Sequence, residues 1–237
     1  MMSTNGQTKF RSREDTKNGD SYDGLSLNSM TIGTMARIPD LVHAPRTNLL
    51  EIQGLYRRAC LDVEELTTRK AEISEKLSEG KLASITTRAI VTDKILPICQ
   101  TAHGMLLTIT LGCNSILSAI RPWDTSLAED NSHYCDEVLL LSQQVAPYRP
   151  LGASYFPLCL VAAYLAVTDP VKRQILHGLL VEYQGDLAGA CWVLVAEVAR
   201  ETYMAARLKM FEAVEQDLRE EVDRPFEGED VSLCAVQ

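Results

Sequence analysis

Apolar residues recur every three or four positions in the segment that begins after Asn48. Leu49, Ile52, Tyr56, Ala59, Val63, Leu66, Ile73 and Leu77 form one stripe, broken only by Lys70. That spacing puts them on one face of an α-helix. Glu64, Glu65, Arg69, Glu72, Glu75 and Lys76 flank the stripe. Asn48 is a candidate N-cap and Gly80 a stop, so the pattern predicts a helix to about Glu79. The stripe has two readings. As a heptad seam it would pair with a second copy, with Leu49, Ile52, Tyr56, Val63 and Leu66 at the interface. As an amphipathic face it would lie against its own domain. About four heptads with a lysine in the seam favour the second reading.

The same reasoning extends along the chain. A helix is expected from Leu82 to Leu96, with Pro97 kinking or restarting it. No Asp, Glu, Lys or Arg occurs between Lys94 and Arg121. That stretch is long enough to span a bilayer. Its polar residues, among them Gln100, His103, Thr110, Asn114 and Ser115, favour a helix buried in a protein core instead. Arg121-Pro122-Trp123-Asp124 makes a corner, and Ser126-Leu127-Ala128-Glu129 has the form of a capping box opening a helix over 127–145. Pro147 and Pro150 bracket a loop. Ser154 to Val167 is apolar nearly all round, which predicts a central helix where Leu158→Asp would unfold the domain. Thr168-Asp169-Pro170 starts a helix to Tyr183. Gln184-Gly185-Asp186 and Gly189 mark a turn, and a last helix runs over 190–221. No segment alternates as a strand does. The expected fold is all-α: one helical domain over 48–210. Before it lies a head, 1–47, too polar to offset its own ordering entropy; after it lies an acidic tail, 211–237.

Composition narrows the function classes. A net charge of -9 argues against binding nucleic acid with the chain as a whole. The seven cysteines are scattered without zinc-site spacing and read as free thiols of a reducing compartment. The N-terminus has no apolar stretch of the signal-peptide kind. Residues 209–237 hold nine acids against three bases, with Phe211, Leu218 and Phe226 interspersed. This is the composition of an amphipathic activation segment, and also of a solvated helix end.

Catalytic signatures do not emerge. The chain has no Gly-rich phosphate loop, no nucleophile elbow and no Asp-rich motif. His133 has Glu129 and Glu137 at helical spacing, which suits a metal or a tuned base, and equally an exposed helix with ordinary i,i+4 pairs. His103 and Asn114 are expected as buried polar groups. They would either satisfy each other in the core or line a small-molecule pocket between helices. No catalytic residue, cofactor or metal site is expected.

One group of segments resembles the C-terminal regulatory regions of fungal binuclear zinc-cluster transcription factors. They are His103-Gly104, Asn114 with Ile116-Leu117-Ser118-Ala119-Ile120, Pro122-Trp123-Asp124, and Cys135-Asp136-Glu137-Val138-Leu139-Leu140-Leu141. Ala146-Pro147-Tyr148-Arg149-Pro150-Leu151-Gly152, Leu158-Cys159-Leu160, Thr168-Asp169-Pro170 and Glu182-Tyr183-Gln184 continue the pattern. The likeness covers roughly 45–210. It implies a non-catalytic, nuclear regulator or co-regulator of a metabolic or secondary-metabolite pathway in a filamentous fungus. Such a protein works by contact with a DNA-binding factor or the transcription machinery. Those factors carry a six-cysteine cluster in a basic N-terminal region, whereas residues 1–59 here contain no cysteine. Direct sequence-specific DNA binding by this chain is therefore not expected. Neither is membrane insertion, and a homodimer through the stripe stands as the alternative to packing on its own domain. A cytoplasmic accessory protein of a biosynthetic pathway, holding a small apolar molecule between its helices, is the alternative, and an unrecognised enzyme a further one.

Overall fold

The helix without a charged side chain, α4 (Leu96–Ile120), is surrounded by other helices. It packs against α2 (Leu49–Ser78), α5 (Thr125–Val145), α6 (Phe156–Ala166) and α8 (Trp192–Val222). Around this group lie α1 (Ile32–His43), α3 (Ile85–Ile90) and α7 (Pro170–Asp186). A computed structural model of the chain describes residues 27–79, 85–186 and 189–222. Its regular structure is helical throughout, with no strand among the described residues. The helical run Thr87–Ile120 is long and apolar enough to cross a membrane by those two criteria. Its most apolar window is nevertheless 67% buried against the rest of the protein.

Pro97 stands in the first turn of α4, as its missing N–H favours. The helix does not break there. It passes from α3 through a π-turn, Val91–Ile95, in which the Leu96 N–H bonds the Val91 carbonyl five residues back. Gly104, about two turns beyond Pro97, is where α4 meets the start of α6 closely. A Cβ there would lie 2.6 Å from Cε2 of Tyr155. Gly104→Ala is therefore expected to cost about 2 kcal/mol by overpacking, read as a lower Tm in thermal melts.

The stripe on α2 faces inward. Ile52, Tyr56, Val63 and Leu66 are buried within the chain, and Leu49 packs half-buried beside them. They form core of the chain itself, in keeping with the reading of the stripe as an amphipathic face laid on its own domain. Charges placed at Ile52 or Val63 would strike the fold and not an assembly.

Three expectations change. Part of the head expected to be disordered, Ile32–His43, is helical, and residues 1–26 lie outside the described residues. Thr31 caps α1 by accepting from the Thr34 N–H at 3.1 Å, and Leu41 is buried. Ser29 is buried too, and it gives both its N–H (2.7 Å) and its hydroxyl to the Asp62 carboxylate on α2. Composition hid this because α1 buries one residue and its anchor lies far off in sequence. Asn48 is the N-cap residue of α2 by position, but its side chain gives that helix no hydrogen bond. Its side-chain amide donates to the Asp40 and Ala44 carbonyls (3.3 and 3.0 Å) and closes the end of α1. At the next corner, Asp124 rather than Ser126 caps α5, accepting from the Ser126 N–H at 3.2 Å.

Leu158 is the fourth correction. It is 55% exposed, whereas Phe156, Cys159 and Leu160 on the same helix are fully enclosed. An all-apolar helix carries no periodicity to tell its buried side from its open one.

Candidate functional site

Lys70, the break in the stripe, turns toward the interior with its apolar neighbours. Its Nζ lies 3.0 Å from Nδ1 of His103 on α4 and donates to Oε1 of Gln144 on α5 at 3.3 Å. His103 Nε2 is 2.8 Å from Glu137 Oε2. The other carboxylate oxygen of Glu137 sits 3.2 Å from Nε2 of His133. An ammonium donating to Nδ1 fixes the neutral imidazole with its proton on Nε2, aimed at Glu137. Three helices thus deliver a chain of amine, imidazole and carboxylate.

Burial lowers the Lys70 pKa below the ordinary lysine value, and the charge of Glu137 opposes it only in part. Burial also pushes the Glu137 carboxyl up. The hydrogen bond from His103, with His133 and Lys70 close by, outweighs that effect and holds it below the usual range. The three groups border a half-open pocket of about 560 Å³, shared with Thr67, Gln100 and Leu140. Gln100 is only 5% exposed, and its Oε1 has no partner. The sequence pairs His133 with Glu137 and flags Lys70 as a flaw and His103 as a buried polar group. The structure joins all four. The signal available was the lysine itself, since a charge in a buried seam requires a polar environment across the interface.

Asn114 belongs elsewhere. Its amide donates to the Tyr56 hydroxyl (2.9 Å) and the Leu127 carbonyl (3.0 Å), and its Oδ1 accepts from Ser118 (2.9 Å). Tyr56 in turn donates to Asp130 at 2.6 Å. Burial, then this bond, push the Tyr56 phenol pKa up. Asn114 and His103 therefore do not satisfy each other, and Asn114 is saturated within the core. Asn114→Ala would leave the Leu127 carbonyl and the Tyr56 hydroxyl short of a donor. A loss of about 2 kcal/mol is expected in denaturant unfolding.

A second cavity, of about 300 Å³, lies between α1, α2, α4 and α6. Its wall is almost wholly apolar and includes Met35, Ile38, Ile52, Ile109, Gly112 and Leu158. Sequence reasoning missed it because α1, one of its walls, falls in the stretch expected to be disordered.

The Tyr148–Gly152 loop has a structural task. Arg149 donates through Nε and Nη2 to both oxygens of Asp186 (2.6 and 2.9 Å) and through Nη1 to the Glu182 carboxylate (3.0 Å). Its Nη2 also reaches the Glu182 backbone carbonyl at 2.9 Å, and the guanidinium lies 4.3 Å above the centre of the Tyr183 ring. One side chain thereby holds the loop to the last turn of α7. Among the described residues, no group of three or more His, Cys, Asp or Glu is placed to hold a metal ion.

Helix α8 carries Leu194, Val198 and Leu208 on one side, each more than half exposed. Phe211 and Leu218 fall in the later turns of the same helix, and Phe226 lies outside the described residues. No family model, curated protein or solved structure matches the chain.

Proposed function

We propose that this chain is a non-catalytic transcriptional regulator or co-regulator of a fungal metabolic or secondary-metabolite pathway, nuclear, and acting through contact with a DNA-binding factor. The resemblance over 45–210 supplies the class. The observation that carries the mode of action is the α8 face. Leu194, Val198 and Leu208 form an apolar stripe open to water, with Glu201 set within it and Glu197 at its edge. A helix of this kind lies in the groove of a protein partner. The acidic residues suit a partner that is basic because it meets phosphate.

The test is affinity purification of the tagged chain from its native cells, with captured proteins identified and captured DNA sequenced. The expected result is one DNA-binding factor together with specific promoters, both lost in the Leu194→Asp, Val198→Asp double variant. Pathway enzymes recovered without chromatin would overturn the reading.

The apolar cavity favours a second reading, binding of a small apolar molecule. Gly112 lines that cavity, and a Cβ there meets nothing within 4 Å. Gly112→Leu should fill the space and, by replacing a helical glycine, raise stability by up to about 1 kcal/mol. Nile red is expected to bind the parent chain saturably and the variant at least tenfold more weakly, with no fall in Tm. Equal binding by both would remove the cavity from consideration.

A further inference from the structure

We infer that the pocket between α2, α4 and α5 is a carbonyl-capture site, in which Lys70 forms an imine with a small aldehyde or ketone bearing a neighbouring hydroxyl. The inference is independent of the regulatory reading, since it concerns a different surface and a different chemistry.

The geometry is that of an activated nucleophile: amine, base and orienting carboxylate in hydrogen-bonded series, at 3.0 and 2.8 Å. A structural ion pair needs only the lysine and the carboxylate. Here the imidazole stands between them, with its Nδ1 lone pair directed at the ammonium. His103 can therefore take one proton from Lys70, while its Nε2–H remains on Glu137 and the resulting imidazolium faces a carboxylate. The freed Nζ lone pair attacks the carbonyl carbon and a C–N bond forms. The carbonyl oxygen becomes a hydroxyl by taking a proton from the attacking nitrogen. His103 then returns its proton to that hydroxyl, which leaves as water, and the C=N bond closes. The ammonium and carbonyl compound become a protonated imine and water, with charge conserved and no oxidant or reductant involved. The imine N–H can keep the hydrogen bond to Nδ1 that the ammonium made.

Two observations define the ligand class. Gln100 Oε1 is buried on the same wall without a donor. An aldehyde or ketone carrying an adjacent hydroxyl supplies one. Leu96, Leu140 and Leu141 line the remainder and accept the carbon skeleton. Burial, which disfavours the ammonium of Lys70, raises the fraction of free amine at neutral pH relative to lysines in water.

The experiment uses the full chain at pH 7 with 2-hydroxybenzaldehyde, sodium cyanoborohydride to trap imines, and peptide mass mapping to read every lysine. Lys70 is expected to be labelled about tenfold faster than exposed lysines, and His103→Gln to reduce its rate by about 100-fold while leaving the other lysines unchanged. Glu137→Gln should slow Lys70 as well, which marks Glu137 as a positioning residue. Should Lys70 in the unaltered chain react no faster than the exposed lysines, the inference fails, and that reading requires no variant to fold. Competition by 2-hydroxyphenylmethanol, which has the hydroxyl but no carbonyl, separates capture from simple binding. It should slow labelling at Lys70 without forming an adduct.

Discussion

Leu160→Asp leaves no folded protein, whereas Leu158→Asp, two residues earlier on the same helix, leaves the fold intact. Leu160 is 0% exposed in the middle of α6, so the aspartate would enter a fully apolar surround without a partner. The penalty exceeds about 4 kcal/mol, a large share of the roughly 5–15 kcal/mol that holds a domain of this size. Leu158 is more than half exposed, at the edge of the apolar cavity, and its carboxylate would remain hydrated. Circular dichroism at 25 °C distinguishes the two. A cooperative melt for Leu160→Asp, or none for Leu158→Asp, would show that α6 is turned the other way.

Arg149→Ala should cost about 1–2 kcal/mol and lower Tm by roughly 2–8 °C. Removing the guanidinium leaves the Glu182 carbonyl, one of the last in α7, without its side-chain donor, and strips the cation from the Tyr183 ring. Arg149→Lys should recover less than half of the loss, because an ammonium cannot match both oxygens of Asp186 and the carbonyl at once. A lysine variant as stable as the parent would mean that charge alone holds the loop.

The all-α class and most of the helices were legible because the chain punctuates them plainly. The α2 stripe, the uncharged α4 and the Asp169-Pro170 start of α7 each carry a local signal, and Asp169 does accept from the Val171 N–H at 2.7 Å. Where the signal is not local, reading failed. Helix α1 is held by Ser29 on Asp62 and by Arg37 on Glu51 (2.9 Å), contacts that no window of residues contains. The polar site was visible only in pieces. His133 and Glu137 share a helix and were paired, but Lys70, His103 and Gln144 come from three helices. Lys70 looked like a defect because the stripe was judged by apolar content alone. Its meaning depends on which atom of α4 stands opposite, and that is set by packing.

The π-turn before Pro97 settles a matter of angular phase. Val91 and Cys99 both belong to the main core cluster, eight positions apart. In a regular helix, eight residues overshoot two full turns by about 80°, which would aim one of the pair at solvent. The wide turn absorbs one residue, so the two stand about two turns apart and look the same way. The extra residue works as a vernier between α3 and α4. Deleting a single residue from 92–95 would close the wide turn into regular α-helix with Val91 and Cys99 seven positions apart, about 20° short of two full turns, so Val91 would stay in the core and the π-turn alone would be lost.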